Sequence, residues 1–215
     1  METLTASQVA DEPGLEDWRV VLGGLRTSFS TPDMSAGVTF AAQVVEAANA
    51  ANHHPDLGIR YVRVLVDLVT HDAGGLTERD VAMARTISGI AAELGLSAEP
   101  DVRQVLEIAV DALDIDAVRP FWEAVTGFDV DDDGSLVDRA TGSGAVWFQQ
   151  MRAARPQRNR IHIDVNVPVD VVEGRLAAAL DAGGTLVSSE AAPAFWVLAD
   201  PEGNEACLCT SANRD

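Results

Sequence analysis

Three of the four histidines in this 215-residue chain lie within a 19-residue stretch: His53, His54 and His71. Imidazole suits proton transfer near neutral pH, because its ordinary pKa of about 6.5 keeps both forms populated. Two or three such rings around one substrate would supply both an acid and a base. Each ring alone also fits a plainer interpretation, as a residue at the end of a helix or strand. A zinc site is a further alternative, although adjacent histidines cannot easily point at one ion.

Two predicted elements must position these histidines. Residues 33–52 carry apolar side chains at spacings of three and four, which predicts a helix, and Pro55 ends it. Residues 61–70 alternate apolar and polar side chains, which predicts a long half-buried strand ending at His71. The histidines are therefore expected at element ends, where side chains converge in clefts.

The surrounding sequence completes a first domain. Residues 18–22 and 25–29 are predicted as a strand hairpin, and Thr77 caps a helix that Gly95 closes. Residues 97–101, which include a proline, are predicted as a linker, because the hydrophobic pattern restarts after them.

Charge and hydropathy exclude several classes of protein. The chain has 34 acidic residues against 15 basic ones, and its net charge of −19 would repel nucleic acid and anionic lipid. No apolar run approaches the roughly 20 residues of a spanning helix. The first residues lack the basic and apolar segments of a secretory signal. We expect neither membrane nor nucleic acid as a partner, and a cytoplasmic location.

The histidine region resembles the signature of the pterin-4a-carbinolamine dehydratases. The matching positions are residues 52–55 (Asn-His-His-Pro), Tyr61, residues 64–72, residues 75–77, Asp80 and Ala84. The resemblance covers about residues 15–95 and implies an α+β fold, an antiparallel sheet with helices on one face, assembled as a homo-oligomer. It implies loss of water from a 4a-hydroxytetrahydropterin substrate to give the quinonoid dihydropterin, with no metal or redox cofactor.

The resemblance also assigns residues to the site. The family's three active-site histidines match His53, His54 and His71, which jointly take the acid and base roles. Thr70 and Trp18 are candidates for substrate binding, and each also fits a plainer role as a buried residue.

The chain departs from the family pattern at two positions. Asn49 stands where family members commonly carry an acid, and Leu57 stands where an aromatic residue is common. Neither change removes a proton-transfer group, but the carboxylate that would orient an imidazole is lost. The rate and the identity of the substrate therefore stay open.

The second half of the chain repeats one pattern twice. Residues 106–110, 115–125 and 127–128 predict a strand, a helix and a stop, and residues 161–167, 171–182 and 183–184 repeat that order. Short strands follow each stop, so a βαβββ unit used twice is the economical description.

This half resembles the glyoxalase and bleomycin-resistance fold, the vicinal oxygen chelate superfamily. The resemblance rests on Phe121-Trp122 with Gly127-Phe128, on residues 159–164 and on residues 200–204. It places Glu107, His162 and Cys207 at the strand positions where some members bind a metal. Cysteine is a poor replacement for the usual glutamate, so we expect a structural role there and no metal.

The sequence thus predicts a dehydratase-like domain at residues 1–97 and a glyoxalase-like domain at residues 102–212. Two other functions fit the same residues. The first is a non-catalytic protein that binds a pterin-like small molecule. The second is a metal-dependent enzyme centred on Glu107 and His162.

Overall fold

The computed structural model describes residues 2–103, 105–141, 145–154, 163–167, 169–210 and 212. The chain divides into two compact units, Met1–Val105 and Leu106–Asp215, and each unit has its own buried apolar core. No helix in the described residues is both long and apolar enough to cross a bilayer.

The first unit is an antiparallel sheet with helices. Its elements are α1 (Ala6–Ala10), β1 (Arg19–Val21), β2 (Gly24–Ser30), α2 (Met34–Ala51), β3 (Asp56–Arg60), β4 (Arg63–Leu68), α3 (Glu78–Glu93) and β5 (Ser97–Ala98). The strand order is β1-β2-β4-β3, and β5 also pairs with β2. The predicted α+β fold is confirmed.

The long helices α2 and α3 cover one face of this sheet. Val64, Val66 and Leu68 alternate along β4, and all three are buried in the core that the helices share. Arg63 and Asp67, which alternate with these residues along the strand, therefore lie on the opposite face of the sheet.

The structure differs from the sequence prediction at residues 56–70. The predicted single strand at 61–70 is shorter, and a second strand, β3, precedes it in a hairpin with β4. The pattern of β3 was not visible in the sequence, because Gly58 interrupts its short apolar run and weakens the strand signal.

Residues 97–101 were predicted as a linker, but in the structure residues 97–103 are bound to the first sheet, and we call this segment the strap. Ser97–Ala98 pair with β2, and the rest of the strap binds side chains of the sheet. Three ion pairs hold it: Glu99 to Arg63 at 2.6 Å, Asp101 to Arg19 at 3.1 Å and Arg103 to Asp67 at 2.6 Å. The predicted boundary at 97–101 is therefore too early, and the units divide after Val105.

The second unit contains two sheets of the same topology. Its elements are β6 (Glu107–Ala112), α4 (Ile115–Thr126), β7 (Asp129–Val130), β8 (Leu136–Val137), β9 (Ala145–Gln150), β10 (Ile163–Asn166), α5 (Val172–Asp181), β11 (Thr185–Ser188), β12 (Phe195–Ala199) and β13 (Glu205–Cys209). The strand orders are β6-β9-β8-β7 and β10-β13-β12-β11. β6 pairs in parallel with β9, and β10 pairs in parallel with β13. The predicted duplication of a βαβββ unit is confirmed.

The Asp-Pro-Glu-Gly-Asn sequence at residues 200–204 forms a structural turn. Asp200 is buried, and its carboxylate accepts hydrogen bonds from Trp122 Nε1 at 3.1 Å and from the backbone nitrogens of Glu202 and Asn204. The Glu202 carboxylate accepts two more from the backbone before α4. This motif therefore ties the β12–β13 turn to the start of α4.

Candidate active site

The site begins where α2 ends. Asn52 has a left-handed backbone (φ +48°), which stops the helix, and the backbone nitrogen of His53 still donates to Ala48 O at 3.1 Å. Asparagine tolerates this conformation better than most residues. The next two residues, His53 and His54, are thereby fixed directly beyond the last helical turn.

His53 is a buried histidine held by a buried carboxylate. Its side chain is largely shielded from solvent, and its Nε2 lies 2.8 Å from Oδ1 of Asp80, which is completely buried. A carboxylate accepts hydrogen bonds, so Nε2 carries a proton and Nδ1 is the ring nitrogen left for other chemistry.

The Asp80 carboxylate has further partners on its second oxygen. Oδ2 accepts from Thr70 Oγ1 at 2.6 Å and from the backbone nitrogen of Thr77 at 2.7 Å. The hydroxyls of Thr70 and Thr77 are also 2.8 Å apart. Because every partner donates to it, the buried carboxylate is held in a single orientation.

This network is built on the capping box of α3. Thr77 caps the helix, and Asp80 reaches back to the Thr77 backbone, so the cap fixes the carboxylate that binds His53. Asp80 matches the family signature but was not predicted as a site residue. The Thr77-x-x-Asp80 spacing is the signal that could have identified it.

His54 is exposed and has a different partner. Its Nε2 lies 3.0 Å from Oδ1 of Asn49, in the last turn of α2. The residue that departs from the family pattern therefore touches the second histidine directly.

Thr70 and His71 follow the end of β4. Thr70 is buried and touches Asp80, whereas His71 is exposed and opens the short 3-10 helix His71–Ala73. Thr70 is thus linked to His53 through one shared carboxylate. Thr70 therefore helps to hold the carboxylate that binds His53, and its part in substrate binding stays a prediction.

Arg79 connects the two histidine-bearing segments. Its guanidinium donates to Asn52 O beside His53, and it lies 3.9 Å from the carboxylate of Asp72, which follows His71. Arg79 was not predicted as a site residue, since a lone arginine in the first turn of a helix carries no distinctive sequence pattern.

Trp18 was a candidate for substrate binding with a buried core residue as the alternative, and the structure places it in the core. It is buried in the core, where its Nε1 donates to Ser88 Oγ at 3.0 Å and its ring meets Phe29 edge to face. It also lines a hollow of about 550 Å³ beside α1, and the described residues around that hollow include no histidine. The alternative interpretation, a core tryptophan, is the correct one.

The metal candidates of the second unit do not form a site in the described residues. Glu107 is exposed on β6, and Cys207 is buried on β13 of the other sheet. His162 lies outside the described residues. Within those residues no group of three His, Cys, Asp or Glu side chains is placed to hold a metal ion.

The pKa of the Cys207 thiol is raised above its ordinary value. Burial, together with the neighbouring Asp164 carboxylate, raises the pKa of Cys207 to about 11. The thiol therefore keeps its proton near neutral pH, and a metal would have to displace it.

Comparison with known proteins covers both units. Residues 2–90 match the family model for pterin 4 alpha carbinolamine dehydratase, and residues 107–209 match the model for a glyoxalase-like domain. A protein from Mycobacterium avium named "Putative pterin-4-alpha-carbinolamine dehydratase" is 43% identical over 91 residues, 42% of this chain and 97% of that protein. One of the same name from Chloroflexus aurantiacus is 43% identical over 89 residues, 41% and 92% of the two chains.

Two solved structures are similar to separate parts of the chain. A transcriptional coactivator/pterin dehydratase from Brucella melitensis is 35% identical, covers 42% of this chain and 99% of its own, and gives a TM-score of 0.40. A glyoxalase/bleomycin resistance protein/dioxygenase family enzyme from Burkholderia phytofirmans is 21% identical, with 48% and 95% covered and a TM-score of 0.40.

Proposed function

The chain belongs, through its first unit, to the pterin-4a-carbinolamine dehydratase family, and we propose that it removes water from a 4a-hydroxytetrahydropterin to give the quinonoid dihydropterin. The observation that carries this proposal is the buried pair of His53 and Asp80, at 2.8 Å, inside the segment that matches the family. A buried, oriented imidazole is the group that proton-transfer chemistry needs.

The reaction sets two chemical demands. The C4a–O bond breaks and the hydroxyl leaves as water, so its oxygen needs a proton donor. The N5–H proton leaves as the C4a=N5 bond forms, so a base must accept it. One proton is given and one is taken, and nothing is oxidised or reduced.

The histidines fit these demands through their different surroundings. His53 is fixed by Asp80, while His54 and His71 are exposed and can meet a substrate from solvent. The polar positioning residues behind them are Thr70, Thr77 and Asp80. In this proposal the three histidines share the acid and base work, and the chain associates with copies of itself as family members do.

The test is dehydration of an enzymatically generated carbinolamine by the full chain. Replacing His53, His54 or His71 by alanine should lower the rate by about 10² each, the usual contribution of a general acid or base. His162→Ala is the matched control. It removes the histidine of the second unit and should leave the dehydration rate unchanged.

Two results would contradict the proposal. Rates close to wild type in all three variants would remove the histidines from the chemistry. Pterin binding by the wild-type chain, detected by fluorescence quenching, without any turnover would favour the non-catalytic binding protein.

A further inference from the structure

His54 is held by a neutral amide in the last turn of α2. Its Nε2 lies 3.0 Å from Oδ1 of Asn49, and an amide oxygen can only accept a hydrogen bond. The proton on this ring is therefore at Nε2, and the neutral ring has a free lone pair at Nδ1.

The adjacent histidine has the same contact with a partner of different charge. His53 also uses Nε2, but its partner is the buried carboxylate of Asp80. A carboxylate stabilises the protonated imidazolium form of a ring, whereas an amide orients the ring without adding negative charge. The contact with Asp80 therefore favours His53 as a proton donor, and the contact with Asn49 leaves His54 able to accept a proton.

We propose that Asn49 is a positioning residue that fixes His54 as the neutral Nε2–H tautomer and so makes Nδ1 of His54 the base for the N5 proton. His53, paired with Asp80, then delivers the proton to the departing C4a oxygen. This assignment rests on the dehydratase function proposed above. It leaves the proton count of the reaction balanced, with one proton moving from His53 and one moving to His54.

The neutral side chain at position 49 matters for this division. An acid is common there in the family, and it would give both rings a carboxylate partner. In this chain only His53 has one among the described contacts. The asymmetry between the two histidines is therefore a property of this sequence.

The tautomer is tested first, without substrate. Long-range ¹H–¹⁵N correlation spectra of the ¹⁵N-labelled full chain, at a pH where the ring is neutral, should show His54 protonated at Nε2. Asn49→Ala should shift His54 towards a mixture of tautomers. His54 protonated at Nδ1 in the wild type, or spectra of His54 identical in the two proteins, would overturn the proposal.

Kinetics test the consequence of the tautomer. Asn49→Ala should lower kcat for dehydration about 10-fold, the scale for losing a residue that orients a functional histidine, with little change in KM. Asn49→Asp keeps an acceptor at the same place, so it should keep the Nε2–H tautomer, but it should recover little of kcat, because a carboxylate partner favours the imidazolium form of the ring. Alanine is a better helix former than asparagine, so a lower kcat could not be attributed to a weakened helix.

Gln43→Ala is the control, since it removes an amide from the same helix two turns earlier and should leave kcat unchanged. An unchanged kcat in Asn49→Ala, or an equal loss in Gln43→Ala, would overturn the role of Asn49. A wild-type chain with the expected tautomer but no turnover would overturn the proposed function and the base role with it. Turnover with the other tautomer would overturn the Asn49 assignment alone.

Discussion

The Nε2 nitrogen of His53 lies 2.8 Å from a carboxylate oxygen of Asp80, and Asp80 is 0% exposed. The same carboxylate accepts from the backbone that starts α3. A candidate catalytic histidine and a helix cap therefore share one buried side chain, and we expect changes to it to affect both activity and stability.

Asp80→Ala is expected to lower dehydration by about 10- to 100-fold, because His53 loses the group that orients it. It should also lower the free energy of unfolding by about 1–3 kcal/mol, since the Thr77 nitrogen and the Thr70 hydroxyl lose a buried acceptor. Steady-state kinetics and urea unfolding measure the two effects. Glu78→Ala, which removes an exposed acid from the same helical turn, should change neither by a comparable amount. Full activity in a destabilised Asp80→Ala protein would show that the carboxylate serves the fold alone.

Asp200→Ala should destabilise the second unit without affecting dehydration. Four donors from Trp122, Glu202 and Asn204 would lose their acceptor, at a cost of about 3 kcal/mol or more. Hydrogen exchange of β12 and β13 in the full chain should accelerate. Asp132→Ala, which removes an exposed acid from the same unit, is the control and should leave this exchange unchanged. Unchanged exchange in β12 and β13 would refute a structural role for the motif.

The chain should lose stability in alkali through Cys207. Its pKa is raised to about 11 in the folded protein, whereas an unfolded thiol titrates near 8.5. The unfolded chain therefore loses this proton first, and the stabilising contribution present below about pH 8.5 is lost as pH rises towards 11. Cys207→Ala should flatten this decline in urea unfolding. Cys209→Ala, on the same strand, is the matched comparison, and an equal flattening there would show that Cys207 has no special part.

Cutting the chain after Val105 should preserve the first unit and its activity. A fragment of residues 1–105 keeps the three histidines and the strap, and it should retain most of the dehydration rate. A fragment of residues 1–96 loses the three ion pairs of the strap and the pairing of β5 with β2, and it should be less stable. Urea unfolding and steady-state kinetics compare the stability and the activity of the two fragments. An inactive but folded fragment of residues 1–105 would mean that the second unit contributes to catalysis.

The elements that the sequence analysis predicted best are those with a strong period and a clear end. The helix at residues 33–52 and the helix capped by Thr77 were both found, because capping residues and apolar spacing agree there. Strand β3 and the strap were missed, since a short run broken by Gly58 and a proline-containing segment look like loops until their pairing partners are known.

The candidate site was predictable in its residue types and not in its pairings. Histidines at element ends were visible as a pattern, but the partner of each ring depends on contacts 5 and 27 residues away in the chain. No local rule distinguishes a ring bound to Asp80 from one bound to Asn49. The placement of Trp18 was likewise undecided by sequence, because a core and a pocket wall require the same apolar side chain.

The strap has a consequence for how the first sheet meets its neighbours. β1 and β5 together occupy the outer side of β2, and both are very short, whereas β3 offers five residues along the opposite side. Copies that join through their strands would pair at β3 and stop at two, since a second long edge is not available for continued growth. A chain cut before Ser97 leaves Phe29 and Ser30 of β2 without their partner on that side, and so exposes a second, short edge. The strap would then be what separates a closed pair from an open-ended ribbon.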